Sequence, residues 1–240
     1  MNEENVFHGV AILKAFGISR EKLESKITAI KETYKNTEIS VERNLLDVKI
    51  TFKALSHAAT SEAAEAAKEF FLSFPENVYA EYDASLQDVL VYILKLGKLK
   101  ISVAESFTGG NLSARIISVP GASNVFYEGV VAYDSEAKIK RLNVSEEAIR
   151  INKPVSSQVA GEMAKGLLSE EKSDIVLSTT GLAGPNTDES GFPVGLCYIA
   201  VGTAQGISVY RYKFEGNRAE ITEKGVQTAL FLAIKSVKNI

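Results

Sequence analysis

Leu99-Lys100-Ile101-Ser102-Val103-Ala104 runs directly into Glu105-Ser106-Phe107-Thr108-Gly109-Gly110, and this junction decides the fold. The first six residues have the apolar character of a buried strand, and the next six are a turn rich in hydroxyls and glycine. Helical patterning resumes from about residue 109. A strand that ends in such a turn and passes into a helix is the repeating unit of a layered α/β sheet. Ligands collect at this edge, outside the carboxyl ends of the strands.

The same pattern returns downstream, where Ile175-Val176-Leu177-Ser178-Thr179 leads into Thr180-Gly181-Leu182-Ala183-Gly184-Pro185. Between the two junctions the patterning predicts a strand near 129 to 133 and helices to about 170. After the second come paired strands near 194 to 202 and 207 to 214, then a final helix. Strands separated by helices pair in parallel and a late hairpin pairs antiparallel, so the expected architecture is a three-layer α/β/α domain with a mixed sheet.

Upstream, Ser85 and Asp88 form a variant capping box. It opens a helix with Leu86, Val89, Leu90, Ile93 and Leu94 inward, and Gly97 closes it. The domain boundary therefore falls just before this helix, giving a small α+β domain over 1–82 and the α/β domain over 83–240. In the first domain, Val6, Phe7, Val10, Leu13 and Phe16 near helical spacing predict a helix that Gly17 stops. Ser19 caps a second helix carrying Leu23, Ile27 and Ile30. Ile39 and Val41 mark a strand that turns at Arg43-Asn44 into the alternating Leu46, Val48, Ile50 and Phe52. An alanine-rich helix from Ser61 to Phe74 stops before Pro75, and Val78 to Tyr82 reads as a short strand. The element pattern is KH-like, yet it has no Gly-x-x-Gly segment to clamp a nucleic-acid backbone. A scaffold or dimerisation role follows, and a homo-oligomer, most simply a dimer, is the expected state.

The 240 residues are 45% hydrophobic and 24% charged with a net charge of -3, and no basic block stands out. That balance argues against a strong nucleic-acid binder and favours a small-molecule ligand. No stretch approaches the ~20 apolar residues of a membrane span, and the start Met1-Asn2-Glu3-Glu4 lacks the basic and apolar runs of a secretory signal, so no membrane association and a cytoplasmic location are expected. The one cysteine, Cys197, sits in an apolar run and reads as a buried small hydrophobe. His8 and His57 are isolated from other ligating side chains, so neither a metal nor a cofactor is expected.

Ser106 can act as a nucleophile or simply cap the helix after it, and both readings fit the local sequence. A nucleophilic serine needs a base, and no histidine follows His57. A lysine is the best substitute. Tyr133-Asp134-Ser135-Glu136-Ala137-Lys138 lies at the end of the next strand, from which Tyr133 or Lys138 reaches the same sheet edge. Burial or a neighbouring cation would let such a lysine lose its proton near neutral pH. Gly109, Gly110, Gly181 and Gly184 allow close approach of backbone to a ligand, and the Thr108 hydroxyl can donate to a phosphate. Arg218, opening the last helix, can grip an anionic group bidentately. Glu105 and Glu128 stand as structural or supporting candidates.

Six ordered segments together resemble the CinA C-terminal domain family: Ala104 to Gly110, Val119-Pro120-Gly121-Ala122-Ser123, Val131 to Lys138, Val155-Ser156, Thr180 to Pro185, and Pro193-Val194-Gly195. The resemblance covers about residues 85 to 238. It implies a nicotinamide-nucleotide amidase, which converts nicotinamide mononucleotide and water to nicotinate mononucleotide and ammonia in pyridine nucleotide salvage. Ser106 then matches the family's nucleophile, Lys138 its base, Tyr133 and Thr180 its polar partners, and Arg218 its substrate-holding arginine. Backbone N–H groups near Thr108 to Gly110 would hold the oxyanion. Residues 1–82, as in Leu13-Lys14-Ala15-Phe16-Gly17-Ile18, resemble the family's KH-like middle segment. The amino-terminal molybdopterin-binding-like domain of longer members has no counterpart in this sequence.

The chain departs from the family pattern at four places. Phe107 stands where Cys is frequent, Asn217 where Asp is usual, Thr222 or its neighbours where a second arginine follows, and Phe192 where Lys is common. The alternative expectation is therefore a catalytically weak or inactive nucleotide-binding or competence accessory protein.

Overall fold

The computed structural model describes residues 9–187 and 191–238, and the chain divides into two compact units, Met1–Ser85 and Leu86–Ile240. The first contains β1 (Val10–Phe16), α1 (Arg20–Thr33), β2 (Thr37–Asn44), β3 (Asp47–Ala54), α2 (Thr60–Ser73) and β4 (Val78–Ala80). Its sheet runs β2-β3-β1-β4 with every neighbouring pair antiparallel, the split β-α-β arrangement. Leu13, Ala15, Val48, Ile50 and Phe52 on one sheet face pack with Leu23, Ile27 and Ile30 of α1 and Ala66 and Phe70 of α2. Ser19 caps α1, its side chain accepting from the Lys22 N–H.

Two expectations fail here. The segment read as a helix over 6–16 is the inner strand β1 from Val10 to Phe16; Val6, Phe7 and His8 lie outside the described residues. Leu13 and Ala15 pair with Ile50 and Val48 and face the helices, while Lys14 turns to the opposite face and donates to Asp47 at 3.0 Å. An inner strand carries apolar residues on both faces, so its pattern imitates a helical one over a short window. The hairpin turn falls at Leu45-Leu46, two residues later than expected, because Asn44 pairs with Asp47. Leu45 adopts the turn with φ 57, and an apolar residue in that role leaves no compositional signal.

The second unit contains α3 (Leu86–Gly97), β5 (Ile101–Glu105), α4 (Asn111–Ile117), β6 (Phe126–Val131), α5 (Ser135–Leu142), α6 (Glu146–Asn152), α7 (Ser157–Leu168), β7 (Ile175–Gly181), β8 (Leu196–Thr203), β9 (Gly206–Lys213) and α8 (Arg218–Val237). Strand order is β6-β5-β7-β8-β9. β5 is parallel to β6 and β7, while β7, β8 and β9 are antiparallel in sequence, so the sheet is mixed as expected.

Alternation along β7 builds the three layers. Val176 packs with Val159, Met163 and Ala164 of α7, and the Ser178 hydroxyl donates to the Ala160 carbonyl at 2.6 Å. Thr179 points to the other side, which α4 and α8 cover. Register then aligns the ligand edge: Glu105 is level with Val131 on one side and Thr179 on the other. Ser106 and Tyr133 lie on the segments that leave the sheet just beyond that level, while Thr180 is still within β7, paired with Tyr198. Asn217 caps α8 in a full capping box with Glu220, so asparagine here keeps the cap an aspartate would provide. No described helix is long and apolar enough to cross a membrane.

Candidate active site

Ser106 is held one residue beyond β5. Its N–H donates to the Thr179 carbonyl at 2.9 Å, and the Gly109 N–H returns to the Ser106 carbonyl at 3.1 Å, closing a tight turn. Gly109 and Gly110 have φ of 59 and 94, in the left-handed region that favours glycine.

Glu105 locks this turn from beneath. The side chain is fully buried, and one carboxylate oxygen accepts from the Gly110 and Leu112 N–H groups, both at 3.0 Å. The other oxygen accepts from the Ser113 N–H at 2.8 Å and the Ser113 hydroxyl at 2.6 Å. A residue at a strand end thus satisfies the orphan donors of the helix that follows. Glu105→Gln presents an NH2 group to donors, leaving part of this set unpaired, and is expected to lower stability by about 2 to 4 kcal/mol in urea denaturation. A loss under about 0.5 kcal/mol would contradict this account of the turn.

Lys138 enters from α5, whose N-cap is Asp134. Side chains on a helix lean toward its N-terminus, which carries Lys138 back to the strand ends. Only 1% of the residue is exposed. Its Nζ lies 2.8 Å from the Tyr133 carbonyl, 2.9 Å from the Ala132 carbonyl and 3.1 Å from Ser106 Oγ. Burial lowers its pKa from 10.5 to about 8, with Asp134 opposing the shift. When neutral, the amine has two hydrogens for the two carbonyls and a lone pair left for the Ser106 hydroxyl. The geometry therefore suits proton abstraction from Ser106.

A second group stands beside this pair. Arg218, the first residue of α8, donates to the Gly184 carbonyl at 2.6 Å and to the Tyr133 hydroxyl at 2.9 Å. Tyr133 is 59% exposed and links the two groups, since its main-chain carbonyl holds Lys138. Gly184 has φ 80, and a Cβ there would lie 2.6 Å from Val194 Cγ1.

The remaining sequence candidates serve packing. The Thr108 hydroxyl is 2.7 Å from that of Thr179, and both residues are buried. Thr180 donates to the Pro154 carbonyl at 2.8 Å on the α7 side of the sheet, so the structure does not bring its hydroxyl to Ser106. Gly181 makes room for Cys197, whose Sγ would lie 2.7 Å from an added Cβ. Burial pushes the Cys197 thiol up to about 12, which keeps it unreactive. The oxyanion donors also shift from the expected stretch. The Gly109 and Gly110 N–H groups are engaged, whereas those of Phe107 and Thr108 have no acceptor among the described residues. Among the described residues, no three His, Cys, Asp or Glu side chains gather as metal ligands. Glu105, a supporting candidate from sequence, and Thr179, which has no sequence signal of its own, both hold the turn. A carboxylate just before a glycine turn and a new helix was the one signal of the Glu105 role.

Comparison with known proteins gives consistent results. The family model described as the CinA C-terminal domain matches residues 83–237. A CinA-like protein of Dictyoglomus turgidum is 36% identical over 213 residues, covering 88% of this chain and 52% of that protein. A CinA-like protein of Fusobacterium nucleatum is 34% identical over 223 residues, covering 92% of this chain and 54% of that one. The chain thus spans about half the length of the curated relatives it matches. Among solved structures, a competence-damaged protein (CinA) superfamily protein from Klebsiella pneumoniae aligns with TM-score 0.63 and 28% identity, over 65% of this chain and 97% of that one. The competence/damage inducible protein CihA from Agrobacterium tumefaciens gives TM-score 0.61 and 27% identity, over 66% and 99%.

Proposed function

This chain belongs to the CinA C-terminal domain family, and from that premise we propose that it is a nicotinamide-nucleotide amidase working through Ser106 and Lys138. The observation that carries the reading is the buried Lys138 Nζ, 3.1 Å from Ser106 Oγ and donating to two carbonyls. A lysine buried so completely without a carboxylate partner costs stability, and such a cost is retained where a neutral amine is useful.

In the first step Ser106 Oγ attacks the carboxamide carbon of nicotinamide mononucleotide as Lys138 takes the hydroxyl proton. The Phe107 and Thr108 N–H groups stabilise the oxyanion. Lys138 passes the proton to the amide nitrogen, the C–N bond breaks and ammonia leaves. Water, deprotonated by Lys138, then attacks the ester on Ser106, releasing nicotinate mononucleotide and restoring the hydroxyl. The net change is amide plus water to carboxylic acid plus ammonia, with no redox step.

Arg218 supplies positive charge beside this pair and, on this reading, meets the nucleotide phosphate. Arg218→Ala is expected to raise KM about 10- to 100-fold with kcat within about threefold, since the contact exists before and during the chemical step. A fall in kcat with KM unchanged would assign it another role.

The test of the function itself is direct. Purified protein with nicotinamide mononucleotide should form ammonia and nicotinate mononucleotide in equal amounts over many turnovers. Ammonia absent between pH 6 and 9.5, from this and other carboxamide nucleotides, would sink the proposal and favour a binding protein that does not turn over.

A further inference from the structure

Phe107 follows Ser106 directly, and in a turn of hydroxyls and glycines its ring would be expected at the surface. It is instead 4% exposed. The ring sits where two glycines leave room. A Cβ on Gly225 of α8 would lie 2.4 Å from its Cζ and 2.6 Å from one Cε, and a Cβ on Gly181 of β7 would lie 3.0 Å from one Cδ. Gly225 lies inside α8 and does not have a positive φ. The backbone there would accept alanine, and a glycine inside a helix costs stability relative to alanine. The space it leaves for the ring is the compensating reason.

The turn is thereby fastened on both sides of Ser106. The Glu105 carboxylate ties the preceding residue to α4, and the Phe107 ring ties the following residue to α8, the helix that begins with Arg218. Between the two fastenings Ser106 Oγ meets Lys138 Nζ, and the Phe107 N–H has no acceptor among the described residues.

We infer that Phe107, seated in the slot left by Gly181 and Gly225, is a positioning residue that sets the distance from Ser106 to Lys138 and the aim of the oxyanion N–H groups. The inference rests on Ser106 being the nucleophile. A Cβ at 225 forces the ring outward, and because the ring and the turn share a backbone, Ser106 moves with it. Shortening the ring to leucine removes the atoms that such a Cβ would meet.

The test uses an alkyl fluorophosphonate, so it does not depend on the natural substrate. Ser106 Oγ displaces fluoride at phosphorus, its proton passing to Lys138, and peptide mass spectrometry locates the adduct. The rate of labelling is followed against pH, with thermal midpoints measured for every variant. Gly225→Ala is expected to slow labelling about 10-fold or more. Phe107→Leu combined with Gly225→Ala is expected to recover to within about 3-fold of the parent. A purely structural role predicts that rates follow thermal midpoints across the set, without such recovery. Phe107→Leu alone, which leaves a void and no clash, should slow labelling about 3- to 10-fold and serves if Gly225→Ala does not fold. Wild-type rates in Gly225→Ala or Phe107→Leu, or a folded double variant without recovery, would overturn this inference alone. If wild-type protein leaves Ser106 unlabelled at every pH, the nucleophile reading falls and this inference with it.

Discussion

Ser106→Ala is expected to reduce ammonia release from nicotinamide mononucleotide by about 10,000-fold, because it removes the atom proposed to form the covalent intermediate. Binding and the oxyanion N–H groups remain, so a small rate above the uncatalysed one should persist. Stability should change by less than about 1 kcal/mol, since Lys138 keeps both carbonyl acceptors and the vacated volume is a single oxygen. A coupled ammonia assay measures the rate, and hydroxylamine added to the wild type should trap the acyl group as a hydroxamate that the variant never forms. Retention of more than about a tenth of wild-type turnover would show that another group attacks the amide.

Lys138→Met should lower the rate about 1,000-fold or more, since a thioether fills the lysine's space and cannot carry a proton. The wild-type rate should also depend on pH in a specific way. With a pKa near 8, about a tenth of Lys138 is neutral at pH 7, against roughly one part in 3,000 for an unshifted lysine. Activity should therefore climb about tenfold per pH unit below 8 and level off above it, and any residual activity of the Met variant should lack this limb.

Stability provides a second, independent readout of the same group. Lys138 has a lower pKa folded than unfolded, so between about pH 8 and 10.5 the unfolded chain binds more protons. Wild-type stability from this group should rise with pH across that window by about 3 kcal/mol in total. Below pH 8 both states hold the proton and the buried ammonium exerts its full penalty. Comparing urea denaturation of wild type and Lys138→Met at pH 7.5 and 10 isolates the effect from other titrating groups. Parallel curves for the two proteins would mean that Lys138 titrates normally.

The α/β unit was largely legible because its signals are local. Strands β5 and β7 open on apolar residues (Ile101, Val103 and Ala104; Ile175, Val176 and Leu177) and run into hydroxyl- and glycine-rich turns, and β8 and β9 flank a short turn. In the first unit, α1 with its Ser19 cap and α2 before Pro75 were equally plain. β1 was not, because an inner strand with apolar residues on both faces lacks strict alternation. The Leu45-Leu46 turn was hidden because its conformation is imposed by strand pairing and not by turn-forming residues.

The candidate site divides along the same line. Residue order alone showed Ser106 on a turn at a strand end, no histidine after His57, and Lys138 in the first turns of a helix that follows the neighbouring strand, because strand ends, caps and the residues present can be read directly from the chain. Only the tertiary structure decided that Lys138 is buried with its amine on Ser106, that Thr108 and Thr180 turn away to Thr179 and Pro154, and that Glu105 and Phe107 fasten the turn. Desolvation and side-chain direction come from neighbours as far off in the chain as Thr179 and Gly225, and no local pattern around Ser106 encodes them.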